Sequence, residues 1–294
     1  MKARYVYIHR EEGDYPIRLM CRWAKVSCSG CYAWRGRGMS ETRKRREELA
    51  ILVKHFFNES RQTCGYRRVH RILERNGVET SPETVRRLMR QEGLVACHPR
   101  PKVRTTVPAQ DLAERPDLIR RDFTADAPAR KRVGDITCIH TWEGFVHLAT
   151  IMDCCSKKIV GYALAEHMRT ELIRNALEMA VRNCSPIKGV TIFHSDRGSQ
   201  YTSADCASTM NKHGVPASAG RTGICYDNAA AESFNATCKK ELVNRKIYPA
   251  RRKAIKDVTS WIELCCNQTR LHSTIGYRTP NEVHQTQKQN KTAA

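Results

Sequence analysis

The sequence predicts two unlike regions in tandem: a basic all-α region, then a mixed α/β domain. Three observations predict it. Apolar residues recur at helical spacing up to about residue 95 and at alternate positions from about residue 131, so the hydrophobic period falls from 3.6 to 2. Between them, residues 96–130 are rich in proline and mixed in charge, and read as a linker. The 294 residues are enough for about two domains, each with its own core.

Taken in order, "ETRKRREELAILVKHFF" is one amphipathic helix, and "YRRVHRILERNG" is a second that closes on Gly77. "SPETVRRLMRQEG" follows, with Ser81 as N-cap, Pro82 at the first helical position and Gly93 as terminator. Two short helices joined by "NGVETS" have the form of a helix-turn-helix over about residues 60–95, whose second helix offers Arg86, Arg87 and Arg90 to DNA. A helical hairpin with solvated arginines is the plainer alternative.

Beyond the linker, "VGDITCIHT", "FVHLATIMD" and "KKIVGYALA" alternate with short turns between them, which is an antiparallel meander. A helix, "RTELIRNALEMAVRN", follows with one apolar stripe, then a fourth strand "GVTIFHSD", a polar turn and a short helix ending at Gly214. The last strong pattern is "DNAAAESFNATCKKEL", a helix starting at Asn228, which is placed to cap it. Strands and helices in this alternation make layered α/β architecture.

Lysine and arginine number 51 against 30 acidic residues, a formal charge of +21. Such an excess favours a polyanionic partner, and nucleic acid before a membrane, because no long apolar run or basic amphipathic segment accompanies it. The N-terminus carries neither a signal peptide nor a spanning stretch, so a cytoplasmic location is expected. The 14 cysteines are scattered and read as reduced thiols; Cys28 and Cys31 have no second pair to complete a zinc set.

Against this basic background three acids stand out. Asp135 lies inside a predicted strand, where aspartate is disfavoured; Asp196 ends another; Glu232 sits early on the last helix. Each alone has a bland explanation as an edge charge, a turn former or a solvated residue. Together they offer hard oxygen donors on three elements, the set that shares two Mg²⁺ ions in an in-line phosphoryl displacement. Lys239 is seven residues beyond Glu232 and therefore about 20° from it around the helix axis.

With 35 residues between Asp196 and Glu232, the motifs "VGDIT", "HSDRGSQYTS", "DNAAAESFNATCKKEL" and "LHSTIGYRTP" closely resemble those of insertion-sequence transposases of the IS-three family, OrfB type, within the retroviral-integrase superfamily. The resemblance runs from about residue 15 to 285. It implies an RNase H-like integrase catalytic core, a mixed five-stranded sheet flanked by helices over 131–285, preceded by an all-α helix-turn-helix DNA-binding region over 1–95 and followed by a disordered tail, 286–294. It implies that Asp135, Asp196 and Glu232 are catalytic and bind two Mg²⁺ ions, which Mn²⁺ can replace, and that Lys239 contacts DNA. The implied activity is cleavage and strand transfer at the ends of the element, with the terminal inverted repeats and target DNA as partners. A homo-oligomer on DNA, an upstream OrfA-type helix-turn-helix protein, possible as a frameshift fusion, and a prokaryotic, nucleoid-associated setting come with it. A catalytically inactive DNA-binding regulator derived from such an enzyme is the alternative, and Mg²⁺-dependent nicking separates the two. The chain departs from the family at Arg132, where an aromatic is usual, and at Cys138, Cys154, Cys155, Cys265 and Cys266, where rings or bulky apolar groups are usual. Those changes are expected to forfeit buried area.

Overall fold

The computed structural model describes residues 2–36, 40–97, 116–220 and 225–292, which fall in two compact units, Met1–Val95 and Ala96–Ala294. The first unit is wholly helical. Helices α1 (Lys2–Arg10), α2 (Ile17–Trp23) and α3 (Cys28–Arg35) close on Ile8, Met20, Cys21 and Cys31. The first of them begins well before residue 15, where the sequence pattern becomes legible as helix.

Helices α4 (Glu41–Glu59), α5 (Tyr66–Arg75) and α6 (Pro82–Gln91) bury Val53 and Phe57, Val69 and Leu73, and Val85, Leu88 and Met89. Each full burial of such a side chain is worth roughly 1.5–3 kcal/mol. The start of α6 is set by its sequence: Ser81 accepts a hydrogen bond from the Thr84 amide at 3.1 Å, and Pro82 follows it. Gly77, at φ 74°, provides the left-handed residue that ends α5. Helices α5 and α6 thus form the expected two-helix arrangement.

The second unit is built on a five-stranded sheet in the order β3-β2-β1-β4-β5. The strands are β1 (Lys131–Thr141), β2 (Gly144–Asp153), β3 (Ile159–Ala165), β4 (Ile192–Ser195) and β5 (Ala217–Ala219). β1, β2 and β3 pair antiparallel as a meander, whereas β4 and β5 join parallel to β1. Alternation reveals four of the five; β5, "ASA", is too short to carry a period.

Helix α7 (Thr170–Asn183) covers one face with α9 (Ala204–Lys212), and α10 (Ala229–Glu241) covers the other with α11 (Arg251–Ser260). A short helix α8 (Ser199–Thr202) follows β4, and a π-helical turn, Trp261–Cys266, extends α11. Gly161 lets α7 lie directly on β3: a Cβ there would stand 2.2 Å from the Ala176 carbonyl oxygen.

Two boundaries differ from expectation. Residues 98–115 of the expected linker lie outside the described residues, but 116–130 pack on the second unit. Ile119 is buried in its core, and the Leu118 amide donates to Ser218 Oγ at 2.9 Å. The expected disordered tail is helical as far as Thr292, in α12 (Pro280–Thr292). Thr279 and Glu282 explain its start, since each side chain accepts from the other's amide, at 3.3 and 2.8 Å.

The departures from the family pattern are absorbed unevenly. Cys154 and Cys266 pack in the same core as Phe234 and Trp261, and burial pushes the Cys154 thiol up to about 12. Cys138 is exposed, and Cys155 and Cys265 are half-buried. Arg132 is buried, and its guanidinium donates to the Cys184 carbonyl while Nε finds no partner.

Candidate active site

Asp135 lies on β1, the strand that pairs with β2 on one side and with β4 on the other, opposite Thr150. Its predecessor Gly134 is required: a Cβ there would stand 2.6 Å from the Phe193 ring. Asp196 follows β4, and because β4 runs parallel to β1 its C-terminal end brings Asp196 up beside Asp135. Glu232 comes from the first turn of α10.

Helix α10 is fastened to β1 by two amides. Asn228 holds the capping position but makes no capping bond; its Nδ2 instead donates to the Gly134 carbonyl at 3.1 Å. Asn235, three residues beyond Glu232 and so on the same helical face, donates from Nδ2 to Asp135 Oδ2 at 2.8 Å. Asp135 Oδ1 accepts from the Ile136 amide at 2.8 Å.

The electrostatics follow from this crowding. Burial raises the Asp135 carboxyl to about 7, with the Asp196 charge and, less, that of Glu232 adding to the rise; the bonds from Ile136 and Asn235 oppose it. Asp196 keeps an exposed surface, yet loss of water raises its carboxyl too, against a 3.1 Å bond from the Gly198 amide and the nearby His194. The mutual repulsion falls mainly on Asp135, the more enclosed of the pair. Beneath them lies Tyr201, buried, its phenol held well above its usual value by burial and by the charges of Asp135 and Asp196.

The floor of the site is braced by His194, the β4 residue before Ser195. Its Nε2 donates to the Asp227 carbonyl oxygen at 2.8 Å, and its Nδ1 shares a hydrogen bond with Ser218 Oγ, also at 2.8 Å. The buried Asp227 carboxylate accepts from Arg121 Nε at 2.7 Å.

Asp135 therefore lies within electrostatic reach of both other acids expected from the sequence, Asp196 and Glu232. Among the described residues no three His, Cys, Asp or Glu side chains close to the spacing that would hold a metal ion. The donor chemistry nevertheless fits a hard divalent cation, because two carboxylates resist ionising together and only oxygen donors converge. Lys239 is half-buried on α10 beyond Glu232, and its charge reaches Cys138 on β1. On α6, Arg86, Arg87 and Arg90 are all exposed; Arg86 and Arg87 both donate to Glu83.

The sequence marks neither Asn235 nor Tyr201, and it marks Asn228 only as a helix cap, whereas its amide reaches β1 instead. The i, i+3 spacing of Glu232 and Asn235 was the available signal. Nothing local marks Tyr201, whose role depends on β4 lying beside β1.

Comparison with known proteins gives these features a context. Integrase core domain models match residues 125–225 and 213–280, and an HTH-like domain model matches 44–102. Transposase InsF for insertion sequence IS3A of Escherichia coli (strain K12) is 32% identical over 281 residues, 95% of this chain and 97% of its own. A transposase for insertion sequence element IS904 of Lactococcus lactis subsp. lactis (strain IL1403) is 35% identical, covering 83% of this chain and 96% of its own. A 31 kDa protein of insertion element IS600 from Shigella sonnei is 36% identical, covering 89% and 96%. With an HTH-like region ahead of an integrase core and this identity along nearly its whole length, the chain belongs to the IS3 family of insertion-sequence transposases.

Proposed function

We propose that the chain is an active polynucleotidyl transferase that cleaves DNA at the ends of its element and joins the freed strand to a target. The observation that carries this reading is the crowding of Asp135 by the charges of Asp196 and Glu232, in a chain of net charge +21. Acids held together against their own repulsion make a site that a divalent cation completes.

Asp135, Asp196 and Glu232 would hold two Mg²⁺ ions, which when bound stabilise the attacking and leaving oxygens of an in-line displacement at phosphorus. Asn235 and the Ile136 amide fix the Asp135 carboxylate. Tyr201 closes the base of the site with a neutral phenol. Lys239 holds a neighbouring phosphate with a flexible point charge. Arg86, Arg87 and Arg90 bind the terminal inverted repeats. Assembly as a homo-oligomer on DNA, and action beside or fused to an upstream helix-turn-helix protein, complete the reading. Among the described residues no helix is long and apolar enough to cross a membrane.

The test is strand cleavage of an end-sequence duplex by purified protein. Asp135→Asn or Glu232→Gln is expected to lower cleavage by roughly 10³-fold, about 4 kcal/mol of barrier, while end-binding persists. Near-normal cleavage by either variant removes that residue from the site. Binding without any cleavage by the unaltered protein favours the regulator instead.

A further inference from the structure

Past the acids, the β1–β2 hairpin and the segment after α10 enclose an open cavity of about 830 Å³. Trp142, Phe145 and Ile247 line it while 72%, 52% and 71% exposed. These are large apolar surfaces that folding leaves in water. They are also held in place: the Trp142 amide donates to the Tyr248 carbonyl at 3.0 Å, and the Phe145 ring packs edge-on against His140 at 5.5 Å.

The charges at this cavity are of one sign. Lys239, Arg245 and Lys246 line it, and no aspartate or glutamate does among the described residues. Lys246 is engaged by Asp257, whereas Lys239 forms no ion pair among the described residues. The cavity is reached from the acids along β1 and α10. Cys138, on its wall, is three residues along β1 from Asp135, about 10 Å at the strand rise. Lys239 is two turns along α10 from Glu232.

We propose that this cavity receives unpaired nucleotides next to the scissile phosphate, with a base stacked on Trp142 and Phe145 and the backbone held by Lys239. This rests on the strand-cleaving reading for the presence of a scissile phosphate. Bases within a duplex hide their faces against one another, whereas an unpaired base is free to stack on an exposed indole. Exposed aromatics interleaved with basic side chains are what single-stranded DNA needs, a π-surface for each base and a cation for each phosphate. Lys239, which forms no ion pair among the described residues, is left to meet a backbone phosphate beside the apolar surface.

The experiment uses the full chain without divalent cation and two end-sequence duplexes, one blunt and one ending in a short single-stranded extension that carries 2-aminopurine. The unaltered protein should quench the 2-aminopurine. Trp142→Ala should lose the quench and bind the extended duplex about tenfold more weakly, with blunt-duplex affinity within about twofold. Trp142→Phe should keep most of the affinity for the extension. Equal affinity of Trp142→Ala and unaltered protein for the extension overturns the inference, and so does an equal loss on both duplexes. A change in sedimentation of Trp142→Ala with DNA affinity intact also overturns it, showing that the patch seats a second copy of the chain. Because no cutting is measured, a chain that binds the extension yet never cleaves would sink the strand-cleaving reading alone. Normal cleavage with an indifferent Trp142 would sink this one alone.

Discussion

Arg86 and Arg87 stand in water on α6 and share one carboxylate, Glu83, whereas Asp135 is half-buried and crowded by Asp196, which keeps an exposed surface. Both clusters are built for a partner of opposite charge, by different physics. Exposed ion pairs contribute little to stability, so the arginines can exchange Glu83 for phosphates at small cost. Their field also reaches about a Debye length into solvent. The acids act only at contact, and their repulsion is a strain that a bound cation relieves. On the proposed function, one cluster would find DNA and the other would hold something small and divalent.

The largest expected effect sharpens the second half of this contrast. Folding raises the Asp135 carboxyl to about 7 from its unfolded value near 4. Between those pH values the folded chain keeps a proton that the unfolded chain has lost. Stability from this residue is thus full below about pH 4 and is lost as pH climbs to 7, with an upper bound of about 4 kcal/mol. Metal-free protein should therefore melt at lower temperature at pH 8 than at pH 5, and Asp135→Asn should flatten that slope. Mg²⁺ should raise the melting temperature at pH 8 more than at pH 6. Parallel slopes in the two proteins would show that Asp135 is not strained.

Next in size is Asn235. Removing its bond to Asp135 with Asn235→Ala should lower cleavage by roughly 10- to 100-fold. It should also shift the acidic limb of the pH–rate profile upward, because a bond that favours the ionised carboxylate is gone. A loss of rate with no shift in the profile would make Asn235 a packing residue only.

The smallest effect belongs to α6. Arg86→Ala and Arg87→Ala should each reduce the salt slope of end-binding by about 1 in a gel-shift series. Glu83→Gln, which removes their shared partner, should tighten binding by about twofold. If the slope ignores all three substitutions, the arginines do not touch DNA.

The same contrast explains what the sequence makes legible. Helix α6 is readable end to end, because Ser81, Pro82 and Gly93 are local signals and its arginines need no tertiary partner. The three acids are readable as oddities, a charge in a strand or at its end, and their spacing fits a known pattern. Their strain is not readable, since it depends on β4 lying parallel to β1 and bringing Asp196 to Asp135 from 61 residues away. The hairpin cavity is hidden for the same reason: Trp142 and Ile247 look like ordinary apolar residues until the Trp142–Tyr248 bond brings their segments together. Strand β5 and helix α12 are missed because one is three residues long and the other has a polar sequence with only a Thr279–Glu282 signal at its start.

The order of the two units along the chain has a consequence in time. The helical unit ends at Val95, and the site lacks its last acid until residue 232 has been made. At ordinary rates of synthesis the interval is roughly 10 s. A ribosome that stops within it releases a fragment with the arginines of α6 and no means of cutting. On the proposed function, such a fragment would compete with the finished chain for the element's ends.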